Sequence, residues 1–529
     1  MKFWKLSSLI SLAVFTLFLT PANLAAQEET ANTKKPQHHH YKLIDLGTFG
    51  GPGSGVFDSQ RELTRNGAVA GVAETATPDP YAPNCFDQDC LVEHGFLWQD
   101  GGMTDLGALV GVNNSQAQAI NVHGLIVGQS QNGLIDPYLG IPATDGVAWA
   151  NGEIFDLGTL GGYQSSPLDV NDAGQVAGAS TNSIPDQYSF LSGTQTRAFL
   201  FENGSMRDLG TLGGPDAFGQ FINERGQVAG FSYTSSMPGP GGVPPCDPFL
   251  WDKESGMKDL GNFGGTTCDL TFKATPFHLN NRGELVGGMM TVGDATYHPF
   301  LWDGKKMIDL GTLSGDIGRA NWINEASDAV GNSAYADGRL RGVLWQDHKK
   351  IEDLGTLPGD NCSDAQTIND AGRIVGTSFS YTMMGNNDGC HYASTQITSQ
   401  HAVLWEDGTI IDLNTVIQPN ATLTLVEAKY INDRGEIAGM GIPPGVPVSD
   451  FEFHGHVFLL IPCDDDHPDV EGCDYSMVEA AAVSSATSAA RAPQSTQLSK
   501  EAVARMMGAS RNPFMQRYHM PGLRPAPSN

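Results

Sequence analysis

The sequence predicts an all-β fold, an eight-bladed β-propeller of four-stranded antiparallel blades, on three observations. A phrase with Asn at one fixed place and Gly seven residues later recurs eight times. A second phrase alternates with it, an apolar run closing on an aromatic residue and followed by Asp-Leu-Gly. The two ends of the repeat region are complementary. Tyr41-Lys42-Leu43-Ile44-Asp45-Leu46 reads as a fourth strand without its first three, and Val457-Phe458-Leu459-Leu460 as a third strand without its fourth.

Each unit decodes in order. The first strand runs into the Asn position, filled by Thr64, Asn121, Asn171, Asn223, Asn280, Asn324, Asn369 and Asn432. The spacing averages about 53 residues, the length of a four-stranded blade. Four positions earlier the residues are small (Ala117, Pro167, Gly219, Ala320, Ala365, Ala428), as crowded strands near an axis require. Asn-Asp-x-Gly then turns the chain, because Asn and Asp cap their own backbone and Gly accepts positive φ. The second strand is of the type Gln175-Val176-Ala177-Gly178, and its closing Gly permits close backbone approach. A variable loop leads to the third strand, which ends in Trp98, Trp149, Phe201, Trp251, Trp302, Trp345 or Trp405. A short turn gives the fourth strand, as in Gly204-Ser205-Met206-Arg207-Asp208-Leu209, and Gly-Thr-Leu-Gly-Gly starts the next unit. Joining the two half-units completes an eighth blade and leaves no open sheet edge between first and last blades. The competing architecture is an open β-solenoid with capped ends. Solenoid repeats are usually shorter, and the complementary ends favour closure.

The chain has 529 residues and a net charge of −29, from 30 Lys+Arg against 59 Asp+Glu. Such a surface repels phosphate backbones, which argues against nucleic acid as partner. With 17% charged residues, 40% apolar and 64 glycines, neither a disordered chain nor a helical bundle is expected. Residues 1–26 read as a signal peptide: Lys2 and Lys5 precede an apolar run at 6–19, and small residues allow cleavage near Ala26. The run is shorter than a membrane span needs, so no membrane span is expected. Residues 27–40 read as a linker ending in His38-His39-His40, whose adjacent side chains diverge too much for a tetrahedral metal site. The propeller is assigned to 41–461, a Cys-bounded acidic segment to 462–476, and a disordered tail to 477–529, with short helix near 499–507. The tail carries six basic and two acidic side chains.

The repeats resemble a known group. Asp156-Leu157-Gly158-Thr159-Leu160-Gly161-Gly162, Ile368-Asn369-Asp370-Ala371-Gly372 and His401-Ala402-Val403-Leu404-Trp405 are similar to the HAF family of extracellular bacterial repeats, over roughly 41–461. The resemblance implies an exported bacterial protein with a propeller fold, and no particular reaction. Two copies depart from the pattern, at Ser327 in place of Gly and at Asn414 in place of the glycine of Asp-Leu-Gly, and looser turns are expected there.

Eight aspartates end the fourth strands: Asp45, Asp105, Asp156, Asp208, Asp259, Asp309, Asp353 and Asp412. They read either as a ring of metal ligands or general acids, or as turn caps accepting backbone N–H bonds. A residue copied into every blade answers a need of every blade, which favours the cap. The Gly-Thr-Leu-Gly-Gly connectors lack the Gly-Lys-[Ser/Thr] ending of a phosphate cradle. The third-strand tryptophans and Met103, Met206, Met257 and Met307 read as packing between blades. The polar residues opening the third strands, His94, Asp145, Arg197, Asp247, His298, Arg341, His401 and His456, read as polar staples rather than metal ligands.

Eight cysteines in an exported chain favour disulfides, and sequence-local pairing would join Cys85 to Cys90, Cys246 to Cys268, Cys362 to Cys390 and Cys463 to Cys473. Insertions at 131–144, 181–196, 233–245 and 379–400 all fall between second and third strands, on the face shared with the connectors. A rigid body carrying variable loops places binding on that face. Tyr163, Asp216, Asp269, Asp316, Arg319 and Asp360, polar departures near the blade junctions, are the candidate ligand contacts. The sequence thus predicts a secreted, monomeric binding or surface-interaction module for an extracellular carbohydrate or protein. The alternative is a carbohydrate-active enzyme, a glycoside hydrolase or polysaccharide lyase, which would need paired carboxylates about 5–10 Å apart across a pocket. No catalytic residues and no cofactor are assigned. The run Asp464-Asp465-Asp466-His467-Pro468-Asp469 admits calcium but lacks EF-hand spacing.

Overall fold

A computed structural model describes residues 37–479, apart from 58–60, 83–84, 87–88, 241, 267–274, 349 and 383–395. The expectations for the signal peptide, for the linker before residue 37, for Asp269, Cys268 and Cys390, and for the tail and its helix beyond 479 lie outside those residues.

Eight four-stranded antiparallel sheets form the ring of an eight-bladed propeller. The first strands are Gly50–Gly55 in blade 1, Ser115–Ile120 in blade 2, Ser165–Val170 in blade 3 and Ala217–Ile222 in blade 4. Thr275–Leu279, Gly318–Ile323, Cys362–Ile368 and Thr424–Ile431 open blades 5 to 8. Blade 8 takes its fourth strand, Tyr41–Asp45, from the other end of the chain, with Leu43 opposite Leu460 and Asp45 opposite Phe458. The expected closure is therefore present. Every residue of the first strand is buried in blades 2 and 3, while fourth strands such as Ser205–Asp208 are largely exposed. First strands line the axis and fourth strands form the rim.

The recurring glycine has a specific cause. Seven first strands carry a bulge at the same place, between Ala117 and Ala119, Pro167 and Asp169, Gly219 and Phe221, Pro276 and His278, Ala320 and Trp322, Ala365 and Thr367, and Ala428 and Tyr430. The bulge drives a carbonyl toward the second strand, where only Gly leaves room. A Cβ at Gly128 would overlap the Gln116 carbonyl oxygen, and one at Gly178 that of Ser166.

The recurring Asn does more than cap its own turn. Its Oδ1 accepts local backbone N–H groups, as from His123 and Leu125 at Asn121. Its Nδ2 donates to the carbonyl of the same position one blade on: 121 to 171, 171 to 223, 223 to 280, 280 to 324, 324 to 369, 369 to 432, and 432 to Thr64, at 2.9–3.1 Å. A second circuit runs beside it, in which Asp172, Glu224, Asn281, Glu325, Asp370 and Asp433 each accept a backbone N–H from the preceding blade. Between the sheets the six tryptophans that end third strands are buried, with Trp251 at 2% and Trp345 at 1% exposure, as expected for inter-blade packing, and Phe201 is half-buried.

Four expectations are corrected. The linker ends earlier and the tail begins later than assigned, because Gln37–His39 pairs with Met477–Glu479 as a two-stranded sheet. His38 is buried there, with its Nδ1 3.1 Å from a Glu406 carboxylate oxygen. The turn at Ser327 is not loosened, since Ser327 adopts φ 70° and its hydroxyl donates to Glu284. Nor is the one at Asn414, which hydrogen-bonds Asp412 and Leu425. The insertions of blades 2 and 3 are about half strand: their hairpins extend through Ile126–Ile135 with Pro142–Ala150, and Val176–Pro185 with Thr194–Glu202.

Candidate functional site

Antiparallel blades put the loops between second and third strands at the same end as the connectors, so both crowd one face. Much of its recurring chemistry is structural. All eight strand-ending aspartates accept the backbone N–H two residues on, at 2.7–2.9 Å. The same carboxylates meet the third-strand residue: His94 with Asp105 at 2.9 Å, His298 with Asp309 at 2.8 Å and His456 with Asp45 at 3.0 Å. Arg197–Asp208 and Arg341–Asp353 are the looser versions, at 3.8 Å. Blades 2 and 4 set Asp145 beside Asp156 and Asp247 beside Asp259 instead. Burial and the neighbouring carboxylate push Asp247 up to about 6. In the connectors the threonine closes on the second glycine, as Thr159 Oγ1 donates to Gly162 O at 3.0 Å.

The candidate ligand contacts separate into distinct environments. Tyr163 and Asp316 are half-buried in connectors. Asp216 is fully buried, its oxygens accepting the Phe190 and Thr196 N–H groups at 2.8 and 2.9 Å. Burial, then the nearby Asp186 carboxylate, pushes it up to about 8. Asp360 is enclosed by Ser378, Ser380, Ser399 and His401. Burial would raise its carboxyl, but the His401, Ser399 and Ser378 bonds outweigh it and the group is lowered. Arg319 lies on the first strand of blade 6, pairs with Asp364 at 3.1 Å and stands 5.6 Å from the Phe277 ring centre. Of the five described candidates it is the one on a first strand.

Two disulfides are as expected, Cys85–Cys90 and Cys463–Cys473, and Cys246 and Cys362 are also disulfide-bonded. In the acidic run His467 is buried, its Nδ1 2.7 Å from Asp464 Oδ1 and its Nε2 3.4 Å from Glu436. Among the described residues no group of three or more His, Cys, Asp or Glu is placed to hold a metal ion, and no helix is long and apolar enough to cross a membrane.

Two features escaped sequence reasoning. The loops of blades 1 to 3 share an Asp-x-Tyr motif, Asp79-Pro80-Tyr81, Asp136-Pro137-Tyr138 and Asp186-Gln187-Tyr188, whose Asp caps the Tyr N–H each time. The spacing was visible, but the loops differ in length and hide it. The second is the central channel. Arg61 of blade 1 reaches Asp169 of blade 3 at 3.5 Å, and Glu224 and the Ile222 carbonyl of blade 4 at 3.1 and 2.7 Å. Burial pushes Asp169 up to about 6, although Arg61 pulls the other way. His278 stacks on Trp322, ring centres 3.6 Å apart, and Trp322 stands 6.4 Å from Tyr430. Burial, then the Arg61 charge, drives His278 well below the usual histidine range.

No known protein family matches the chain, and no curated protein does. Solved structures are similar in fold at low identity. The β-propeller domain of the trilobed protease from Pyrococcus furiosus is 10% identical, with a TM-score of 0.38 over 71% of this chain and 96% of that one. Porphyromonas gingivalis dipeptidyl peptidase 4 is 9% identical, with a TM-score of 0.37 over 71% of this chain and 56% of its own. A fungal alcohol oxidase of the AA5 family, in complex with copper, is 10% identical, with a TM-score of 0.35 over 80% and 76%.

Proposed function

We propose that this is an exported binding module of the HAF-repeat type, which engages an extracellular protein partner through the loop-rich face. One observation carries the reading. Of the ten most exposed large apolar side chains among the described residues, Val110, Leu134, Ile135, Tyr138, Ile184, Met237 and Val292 sit on loops or hairpin tips of that face, from blades 1 to 5. Apolar tips held out by paired strands are costly in water and mark interaction surfaces. With the net charge at −29, a partner presenting an apolar patch rimmed by basic residues is the best complement. The disulfides support an oxidising compartment.

The test is capture of surface and secreted proteins by the full chain and by a variant carrying Leu134→Ser, Ile184→Ser and Met237→Ser. Loss of specific captures in the variant supports the reading, and identical capture by both overturns it. Sequencing the N-terminus of the exported protein checks the leader, with a start near residue 27 expected and an intact Met1 against it.

A further inference from the structure

We propose that the loop-side half of the central channel is a binding site for a neutral carbohydrate, formed by the bulge positions of blades 4 to 7. This site is separate from the apolar loop tips and stands without the protein-partner reading.

A first strand is covered by neighbouring blades on both faces and by its own second strand along one edge. Its remaining side faces the axis, so mid-strand residues that keep partial exposure line the channel. Blades 2 and 3 offer none. In blades 4 to 7 the bulged residues are Gln220, Phe277, Asn321 and Gln366. Gln220, Phe277 and Gln366 are half-buried, and so is Trp322 beside the buried Asn321. The half-buried wall therefore reads Gln220, Phe277, Trp322 and Gln366 around consecutive blades, three of them at bulge positions and Trp322 one place after, with Phe218 and Arg319 half-buried on the same strands.

The charged groups along the same strands are already matched. Arg319 pairs with Asp364, which also accepts from Asn321 at 3.0 Å, and Lys429 lies 3.8 Å from Glu427. The two glutamines are different. Gln220 is half-buried, its Oε1 atom is buried with no hydrogen-bond partner among the described residues, and the Gln366 side chain makes no hydrogen bond among them. Unspent amides both donate and accept, and aromatic faces take C–H surfaces. A ring bearing hydroxyls and no net charge satisfies both demands, whereas a charged ligand finds its counter-ions already engaged. On the turn side Arg61 bridges to blades 3 and 4 and the buried His278 stacks against one face of Trp322, which places the half-buried wall residues toward the loop face.

The experiment titrates the full chain with maltose, cellobiose, chitobiose, mannobiose and galactobiose, and with a digalacturonate, by calorimetry and tryptophan fluorescence. At least one neutral disaccharide is expected to bind with Kd below about 10 mM, and Gln220→Ala or Gln366→Ala to weaken it by about tenfold or more. Neither glutamine carries a structural hydrogen bond, so both variants should keep the parent melting temperature. Trp322→Phe serves as a third probe that preserves an aromatic surface, and it should change the fluorescence response while retaining binding. The proposal fails if no neutral disaccharide binds, if both glutamine variants bind like the parent, or if digalacturonate binds more tightly than every neutral sugar.

Discussion

Asp216 faces Asp186 across the junction of blades 3 and 4, at the place where amides stand in the two preceding junctions. Asn114 donates to Asp79 at 3.0 Å between blades 1 and 2, and Gln164 to Asp136 at 3.0 Å between blades 2 and 3. Two carboxylates can make that bond only by sharing a proton. The Asp186 Oδ2 atom, buried with no hydrogen-bond partner, is where an amide hydrogen would otherwise arrive.

The shared proton makes this junction sensitive to pH. Asp216 is raised from 3.8 to about 8, so the folded chain holds more protons than the unfolded chain between those values. Its contribution is complete below about pH 4 and fades as pH rises toward 8, by at most about 1.4 kcal/mol per pH unit. Asp216→Asn supplies the amide hydrogen to Asp186 but gives up one of the acceptors used by Phe190 and Thr196. It should be less stable than the parent at pH 5 and should lose the decline toward pH 8. Melting curves of both proteins across that range decide the matter, and parallel curves would refute it.

The acid pair of blade 4 predicts a stabilising exchange. Asp247, raised to about 6, occupies the place held by His94, His298 and His456 in other blades. The folded chain therefore binds extra proton between about pH 4 and 6, and this pair's support is lost as pH climbs through that window. Asp247→His should form the His–Asp staple with Asp259 and raise stability at pH 7 by about 1 kcal/mol. Urea midpoints at pH 7 provide the measurement, and a lowered midpoint would contradict it.

Two glycines that look alike in sequence should respond differently to alanine. At Gly128 the added methyl would overlap the Gln116 carbonyl across the bulge, so Gly128→Ala should cost about 3 kcal/mol. At Gly124, φ is 79° and nothing lies within 4 Å of the added atom, so Gly124→Ala should cost about 1 kcal/mol. Equal losses in denaturant titrations would sink the bulge explanation.

The asparagine circuit can be broken at one link without removing its turn. Asn324→Asp keeps the oxygen that caps Ala326 and Asp328 but lacks the hydrogens given to the Asn369 carbonyl. The Asn369 carbonyl keeps only the Gly372 N–H and now faces a carboxylate oxygen, and the expected loss is about 2 kcal/mol at pH 7. A variant as stable as the parent would mean the inter-blade bond contributes nothing.

Legibility in the sequence followed the range of the interaction. The turn caps involve residues two apart, and Asp105 with Gly107 can be read directly. Blade number and closure were legible because each blade rewrites one hydrophobic pattern, and the half-units at 41–46 and 457–460 fit no other partner. The link from Asn121 to Asn171 could not be read, since a local turn already accounts for the residue. Arg61 was illegible for a related reason. It belongs to a lengthened, non-repeating stretch of blade 1, and its partners Asp169 and Glu224 lie two and three blades away. Among the candidate contacts, Arg319 was chosen for standing out from uniform connectors, and it proved to belong to the first strand. Gln220 and Gln366 escaped the pattern because each occupies the extra position of a bulge, where the repeats of this chain carry unlike residues.

Pairing Tyr41–Asp45 with His456–Pro462 has a consequence for how the molecule is made. A ribosome delivers the rim strand of the eighth sheet first and its three companions last, so that strand must wait through the synthesis of seven other sheets. Assembly can proceed sheet by sheet, but the final sealing event requires the whole polypeptide. Relocating the cut to the tight turn between the third and fourth strands of another sheet, with the present ends joined, would shift which sheet waits while leaving the finished ring the same.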